Sequence, residues 1–178
     1  MPGLTEASLQ ELALRYVGKY ATTRAKLRSY LARKIRERGF EGPREPDLEV
    51  IANRFAELGY IDDAAYAVSK SRALSARGYG KRRLAESLRF AGVEEADSLE
   101  AREFASVEAT RSALRFARRR RLGPYAACAA GPAEREKWIA AMVRAGHGFA
   151  LARAIASISP GESIEEGELD ELTRIGDA

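Results

Sequence analysis

The chain has little of what most enzyme sites are built from. Its 178 residues include one histidine and one cysteine. The lone Cys128 cannot form an intrachain disulfide, which fits a reducing compartment. It lies in an Ala-rich run and is expected to be a small buried or half-buried residue. The lone His147 stands between Gly146 and Gly148 with no cysteine or carboxylate at metal-ligand spacing, and reads as a solvated turn residue. There is no Walker-type loop, because Arg77-Gly78-Tyr79-Gly80 lacks the rest of the phosphate-loop pattern. Asp62-Asp63 come directly after a helix-stopping glycine and its two following residues, and read as N-cap and first-turn acids rather than metal ligands. No catalytic, metal or cofactor site can be assembled, so a binding protein is expected and an enzyme is not. No apolar run approaches bilayer length. The opening MPGLTEASLQELAL lacks the basic-then-apolar layout of a signal peptide, so the cytoplasm is expected and a membrane is not. Period-two alternation is nowhere sustained, which excludes a sheet.

What the chain does have is charge and helix punctuation. Charged residues make up 31% of it and the formal net charge is +4. The charge is segregated: bases crowd residues 15–38, 70–89 and 111–121, while acids crowd 94–108 and the last stretch. Segregation of this kind favours an anionic partner more than the net charge does. Apolar residues at helical spacing predict helices from Thr5 to about Tyr20, Thr23 to Arg38, and Asp47 to Leu58. Further helices are predicted over Asp63–Ala76, Lys81–Ala91, Glu94–Phe104, Glu108–Arg121, Ala133–Ala145 and Phe149–Ile158. Gly59 is the expected left-handed residue closing the third, with Tyr60 and Ile61 folding back on it. Residues after Gly161 are acidic and thinly apolar. Ser163 and Glu166 have capping-box spacing, yet disorder is equally compatible with that composition.

Helix ends recur. Leu31, Ile35, Gly39, Phe40 repeats as Leu84, Leu88, Gly92, Val93, and again as Trp138, Met142, Gly146, Phe149. A unit this small buries little surface alone, so neighbouring copies must stack. The expected fold is all-α: three tandem three-helix repeats at 1–61, 62–105 and 106–160 in an elongated curved array, followed by an acidic tail at 161–178. Ile35, Leu88 and Met142 are expected to be buried at equivalent places. The tail is expected to be dispensable for folding.

The basic clusters differ in meaning. Arg118–Arg121 end a helix, where cations are favoured without any partner. Lys81, Arg82 and Arg83 begin one, where they oppose the macrodipole. They are either a solvated face or an anion site in which free N–H groups and cations converge. Arg24 and Lys26 sit at a corresponding helix start in the first repeat. With Arg77, these six residues are the candidate partner-binding set, facing an acidic protein surface or phosphate.

Leu58-Gly59-Tyr60-Ile61-Asp62-Asp63, then Tyr66-Ala67, Arg77-Gly78-Tyr79-Gly80, Leu84, Leu88 and Gly92-Val93, in this order and spacing, resembles the central repeat of the RecX regulatory proteins. Trp138 and Met142-Val143-Arg144-Ala145-Gly146-His147-Gly148-Phe149 resemble that family's closing helix and Gly-Phe joint. The likeness covers about 12–158. It departs at Thr23-Arg24-Ala25-Lys26-Leu27, where lysine stands in place of a capping glutamate. The resemblance implies tandem three-helix repeats that bind RecA recombinase filaments on single-stranded DNA. It implies restraint of ATP hydrolysis, strand exchange and co-protease activity, and hence a role in DNA repair, recombination and the SOS response. It carries no catalytic residues or cofactors, and implies a monomer whose partner is the RecA filament, with single-stranded DNA phosphates as a further anionic contact. Two rivals stand beside it. One is a helix-turn-helix DNA-binding regulator using the pair at 63–91, although no Asn or Gln begins its second helix. The other is a DNA-processing nuclease, which lacks a metal cluster.

Overall fold

Apolar spacing and glycine punctuation produce helices almost where they are expected. The structure, a computed structural model, describes residues 3–175, so positions 1–2 of the first expected repeat and 176–178 of the expected tail lie outside it. Among the described residues ten α-helices follow one another: α1 (Glu6–Lys19), α2 (Arg24–Arg38), α3 (Leu48–Glu57), α4 (Asp63–Ala76), α5 (Lys81–Phe90), α6 (Glu95–Val107), α7 (Ala109–Arg120), α8 (Pro132–Arg144), α9 (Phe149–Ser157) and α10 (Glu166–Ile175). A short 3₁₀ turn at Gly123–Tyr125 lies between α7 and α8. Among the described residues there is no strand, only an isolated bridge between Leu4 and Phe40.

The caps explain the boundaries. Thr5 and Ser8 cap α1 reciprocally, Thr23 accepts from the Lys26 amide, and Asp47 accepts from the amides of Glu49 and Val50. At Gly59 (φ 78°), the amide of Tyr60 donates to Phe55 and that of Gly59 to Ala56, both at 2.9 Å. This Schellman closure places Ile61 in the core while Tyr60 stays exposed. The same pairing closes α5, where Val93 donates to Leu88, and α8, where His147 donates to Met142. Gly39 ends α2 differently: its carbonyl accepts from the Leu4 amide at 2.9 Å, so the first of the three recurring ends is tied to the N-terminal segment. Leu88 and Met142 are buried as expected, but Ile35 is only half-buried.

The chain divides into two compact units, one formed by residues 3–67 with 88–98 and the other by 68–87 with 99–175. In the first, α2 packs on α1 and α3 around Leu4, Leu9, Leu27, Leu31 and Phe55. In the second, α9 packs on α7, α8 and α10 around Phe116, Leu122, Met142, Leu151 and Ile155.

Two expectations need correction. Cys128 is exposed, because it lies in the irregular segment beyond the 3₁₀ turn rather than in a helix. The acidic tail is not loose: Glu166 begins α10 instead of serving as third residue of a box capped by Ser163. Leu169 of α10 is 5% exposed and belongs to the core of the second unit, with Ile164 and Leu172 packed against it. Two leucines three residues apart suffice to seat an acidic helix when a core offers a groove. Residues 164–172 of the tail are therefore packed on the core of the second unit. Leu169→Ala is expected to cost about 2–4 kcal/mol, read by thermal or urea melting. A variant as stable as the parent would mean that α10 contributes no packing.

Candidate functional site

The six basic candidates fall into two groups, one in each unit. In the first unit, Thr23 precedes α2, and its hydroxyl donates to the Ala91 carbonyl at 2.6 Å while accepting from the Lys26 amide. Arg24, the first residue of α2, is turned inward on carboxylates. Its amide donates to Asp63 Oδ1 at 3.0 Å, its Nε to Asp63 Oδ2 at 3.2 Å and its Nη2 to Asp97 Oδ2 at 2.7 Å. Glu94 lies within 4.0 Å of Nη2. The hydrogen bond to Asp63 is the largest reason the Arg24 pKa is raised above its ordinary value; desolvation opposes it, and the charges of Asp63, Asp97 and Glu94 assist. Lys26 donates to the Tyr66 hydroxyl, its Nζ lying 4.6 Å from the ring centroid. The helix start that reads as a partner surface is thus largely a structural node. Asp63, read as a first-turn acid, is its buried centre. The Asp62 side chain takes the capping role, accepting from the Ala65 amide at 2.8 Å.

In the second unit, two glycine-flanked joints clasp each other: Gly78-Tyr79-Gly80 between α4 and α5, and Gly146-His147-Gly148 between α8 and α9. The Gly80 amide donates to the Ala145 carbonyl at 2.9 Å and the Arg82 amide to that of Gly146 at 3.1 Å. Glycine is required here because a Cβ on Gly80 would stand 2.3 Å from the Gly146 oxygen. His147 fills the centre, 2% exposed, with Nε2 at 3.0 Å from the Gly78 carbonyl oxygen and its ring edge on Phe116. The expectation of a solvated turn histidine is overturned, since the partner that buries it lies 69 residues away in sequence. Its signal was the paired Gly-x-Gly pattern, a mark of close backbone approach.

Burial lowers the His147 pKa from 6.5 to about 4, while the hydrogen bond to Gly78 opposes the shift. The unfolded chain therefore binds the extra proton first. His147 contributes its full stabilisation above pH 6.5 and loses it progressively as pH falls toward 4. The loss over that window is about 3 kcal/mol. His147→Gln keeps an N–H donor but cannot titrate, so its melting temperature should fall less than the parent's over the same pH range. Parallel curves would contradict a buried neutral ring.

The α5 start is less open than an anion site requires, because the Arg82 amide is already engaged. The side chains of Arg82 and Arg83 are exposed, Lys81 is half-buried, and Arg83 lies 3.5 Å from Glu86. Arg77 places its guanidinium 5.3 Å from the Tyr79 centroid, and its carbonyl accepts from Arg119. At the end of α7, Arg118 covers the Tyr125 ring, so these arginines have local work as their helix-end position suggests. The first turn of α5 is packed on the Gly146 joint, which does not suit a recognition helix. Among the described residues no group of three or more His, Cys, Asp or Glu could hold a metal ion, and no helix is long and apolar enough to cross a membrane.

No family model matches the chain. It is 31% identical over 160 residues to the Regulatory protein RecX of Myxococcus xanthus (strain DK1622), covering 85% of this chain and 86% of that one. It is 37% identical over 93 residues to the Regulatory protein RecX of Mycobacterium sp. (strain KMS), a match spanning about half of each chain (51% and 49%). The crystal structure of RecX from Lactobacillus salivarius is similar in fold, with a TM-score of 0.56 over 96% of both chains at 15% identity.

Proposed function

The chain belongs to the RecX family of regulatory proteins, and we propose that it binds RecA filaments on single-stranded DNA and restrains their ATP hydrolysis, strand exchange and co-protease activity. The observation that carries this reading is the alignment with a regulatory RecX protein over 85% of the chain. The order of the first nine helices supports three tandem three-helix repeats, divided near 61, 105 and 160. Tandem modules suit a filament, because contacts with successive protomers add avidity without one deep pocket. The contacting groups are Lys81, Arg82 and Arg83, with Arg77 beside them; Arg24 and Lys26 support the fold and contribute less. The protein acts in the cytoplasm as a monomer and has no chemistry of its own.

The test is co-sedimentation of the chain with RecA assembled on single-stranded DNA in a non-hydrolysable ATP analogue. The chain should pellet with filaments and stay in solution with DNA or RecA alone. Pelleting on a particular duplex sequence without RecA would favour a DNA-binding regulator instead. The purified chain without RecA should turn over neither ATP nor DNA; turnover abolished by a point mutation in this chain would contradict that.

A further inference from the structure

Beside the clasped joints the second unit holds a cleft of about 310 Å³. Its wall is apolar where Phe149, Leu151 and Leu172 meet, and cationic where Lys81 and Arg82 stand. Among the described residues no carboxylate lines it. Phe149 is 59% exposed, a large apolar surface for the first residue of a helix. The N-cap of α9 is Gly148, which has no side chain to accept from the first turn. The amides of Phe149, Ala150 and Leu151 precede the first intrahelical donor, Ala152, and have no carbonyl to meet within the helix.

His147 adds a second polar group. The Gly78 carbonyl can only accept, so the ring proton lies on Nε2 and the neutral ring carries a lone pair on Nδ1. Nδ1 has no hydrogen-bond partner among the described residues, and the nearly buried His147 lines the cleft. The cleft therefore combines the His147 imidazole, backbone amides without an intrahelical partner, a cation and an apolar wall. Phosphate matches the donors and the cation, and its O–H can meet the lone pair, but it has no apolar group for the wall. A peptide with a carboxylate beside an apolar side chain offers all four. The chain's own α10 shows that such a segment suits this unit: it buries Leu169 and holds Glu166 3.9 Å from Arg111.

We propose that this cleft seats an acidic segment of a partner protein, with an apolar side chain among Phe149, Leu151 and Leu172 and a carboxylate at Arg82 and the α9 amides. The proposal deepens the reading of the α5 start as partner-facing and rests on it.

The test uses the full chain, ¹⁵N-labelled, titrated with the peptide acetyl-Glu-Asp-Leu-Phe-Glu-Asp-amide. Amide shifts should concentrate at residues 148–151 and 80–82. Replacing the Leu-Phe pair by two alanines should weaken binding about tenfold or more. Arg82→Glu should weaken it several-fold, and Phe149→Ala should do so with only a small fall in melting temperature, because more than half of that residue is exposed. No shift in the cleft at millimolar peptide would overturn the proposal. So would equal binding of the alanine peptide, or the same shifts from inorganic phosphate or oligo-dT, which would make the cleft a plain anion or nucleic-acid site. Failure of the family reading would look different: a parent chain that binds the peptide but leaves RecA unrestrained. Conversely, RecA restrained equally by the parent and by an Arg82→Glu/Phe149→Ala chain, with no peptide bound, would remove the cleft and leave the function standing.

Discussion

Arg24→Ala is expected to lower the melting temperature by roughly 6–12 °C. The change leaves Asp63, whose side chain is 3% exposed, without its guanidinium partner. Breaking such a buried pair by removing one member costs about 3 kcal/mol, which at about 2–4 °C per kcal/mol for a chain of this size gives that range. Arg24→Lys should recover only part of the loss, since an ammonium cannot span Asp63 and Asp97 as the planar guanidinium does. The folded Arg24→Ala protein should still bind RecA filaments within about twofold of the parent, because its guanidinium is already engaged internally. A variant that melts normally but loses binding would return Arg24 to the partner surface.

Changing Lys81, Arg82 and Arg83 together to glutamate should separate binding from stability in the opposite direction. Acids suit a helix N-terminus, so the melting temperature should stay level or rise slightly. Loss and reversal of the charge contacts should weaken filament binding by several-fold to a hundredfold, corresponding to about 1–3 kcal/mol. Global unfolding cannot produce that pair of signs. Arg118, Arg119 and Arg120 to glutamate is the matched control. It removes the Arg119 bond to the Arg77 carbonyl and the stacking of Arg118 on Tyr125, and places acids at a helix C-terminus, so it should mainly cost stability. A Lys81/Arg82/Arg83 variant that binds fully would end the case for this surface.

The parts legible in the sequence were those decided locally. Thr5, Thr23 and Asp47 cap their helices because a side-chain oxygen within three residues of a free amide needs no distant partner. Gly59, Gly92 and Gly146 adopt positive φ for an equally local reason. The illegible parts depend on residues brought together by folding. Arg24 looked like a cation opposing its helix dipole, but its counter-charge comes from Asp63 and Asp97, 39 and 73 positions away. His147 looked solvated because glycines flank it, whereas those glycines let the joint approach Gly78 and Gly80 closely enough to bury it. In α10 the acids dominate the composition and conceal the spacing of Leu169 and Leu172, which decides its packing.

Restraint of RecA is read directly in RecA ATP hydrolysis on single-stranded DNA with the chain titrated in at fixed RecA. The rate should fall saturably with the parent chain, and the midpoint should be several-fold to hundredfold higher with the Lys81/Arg82/Arg83 triple. A rate unchanged by saturating, folded parent protein would contradict it.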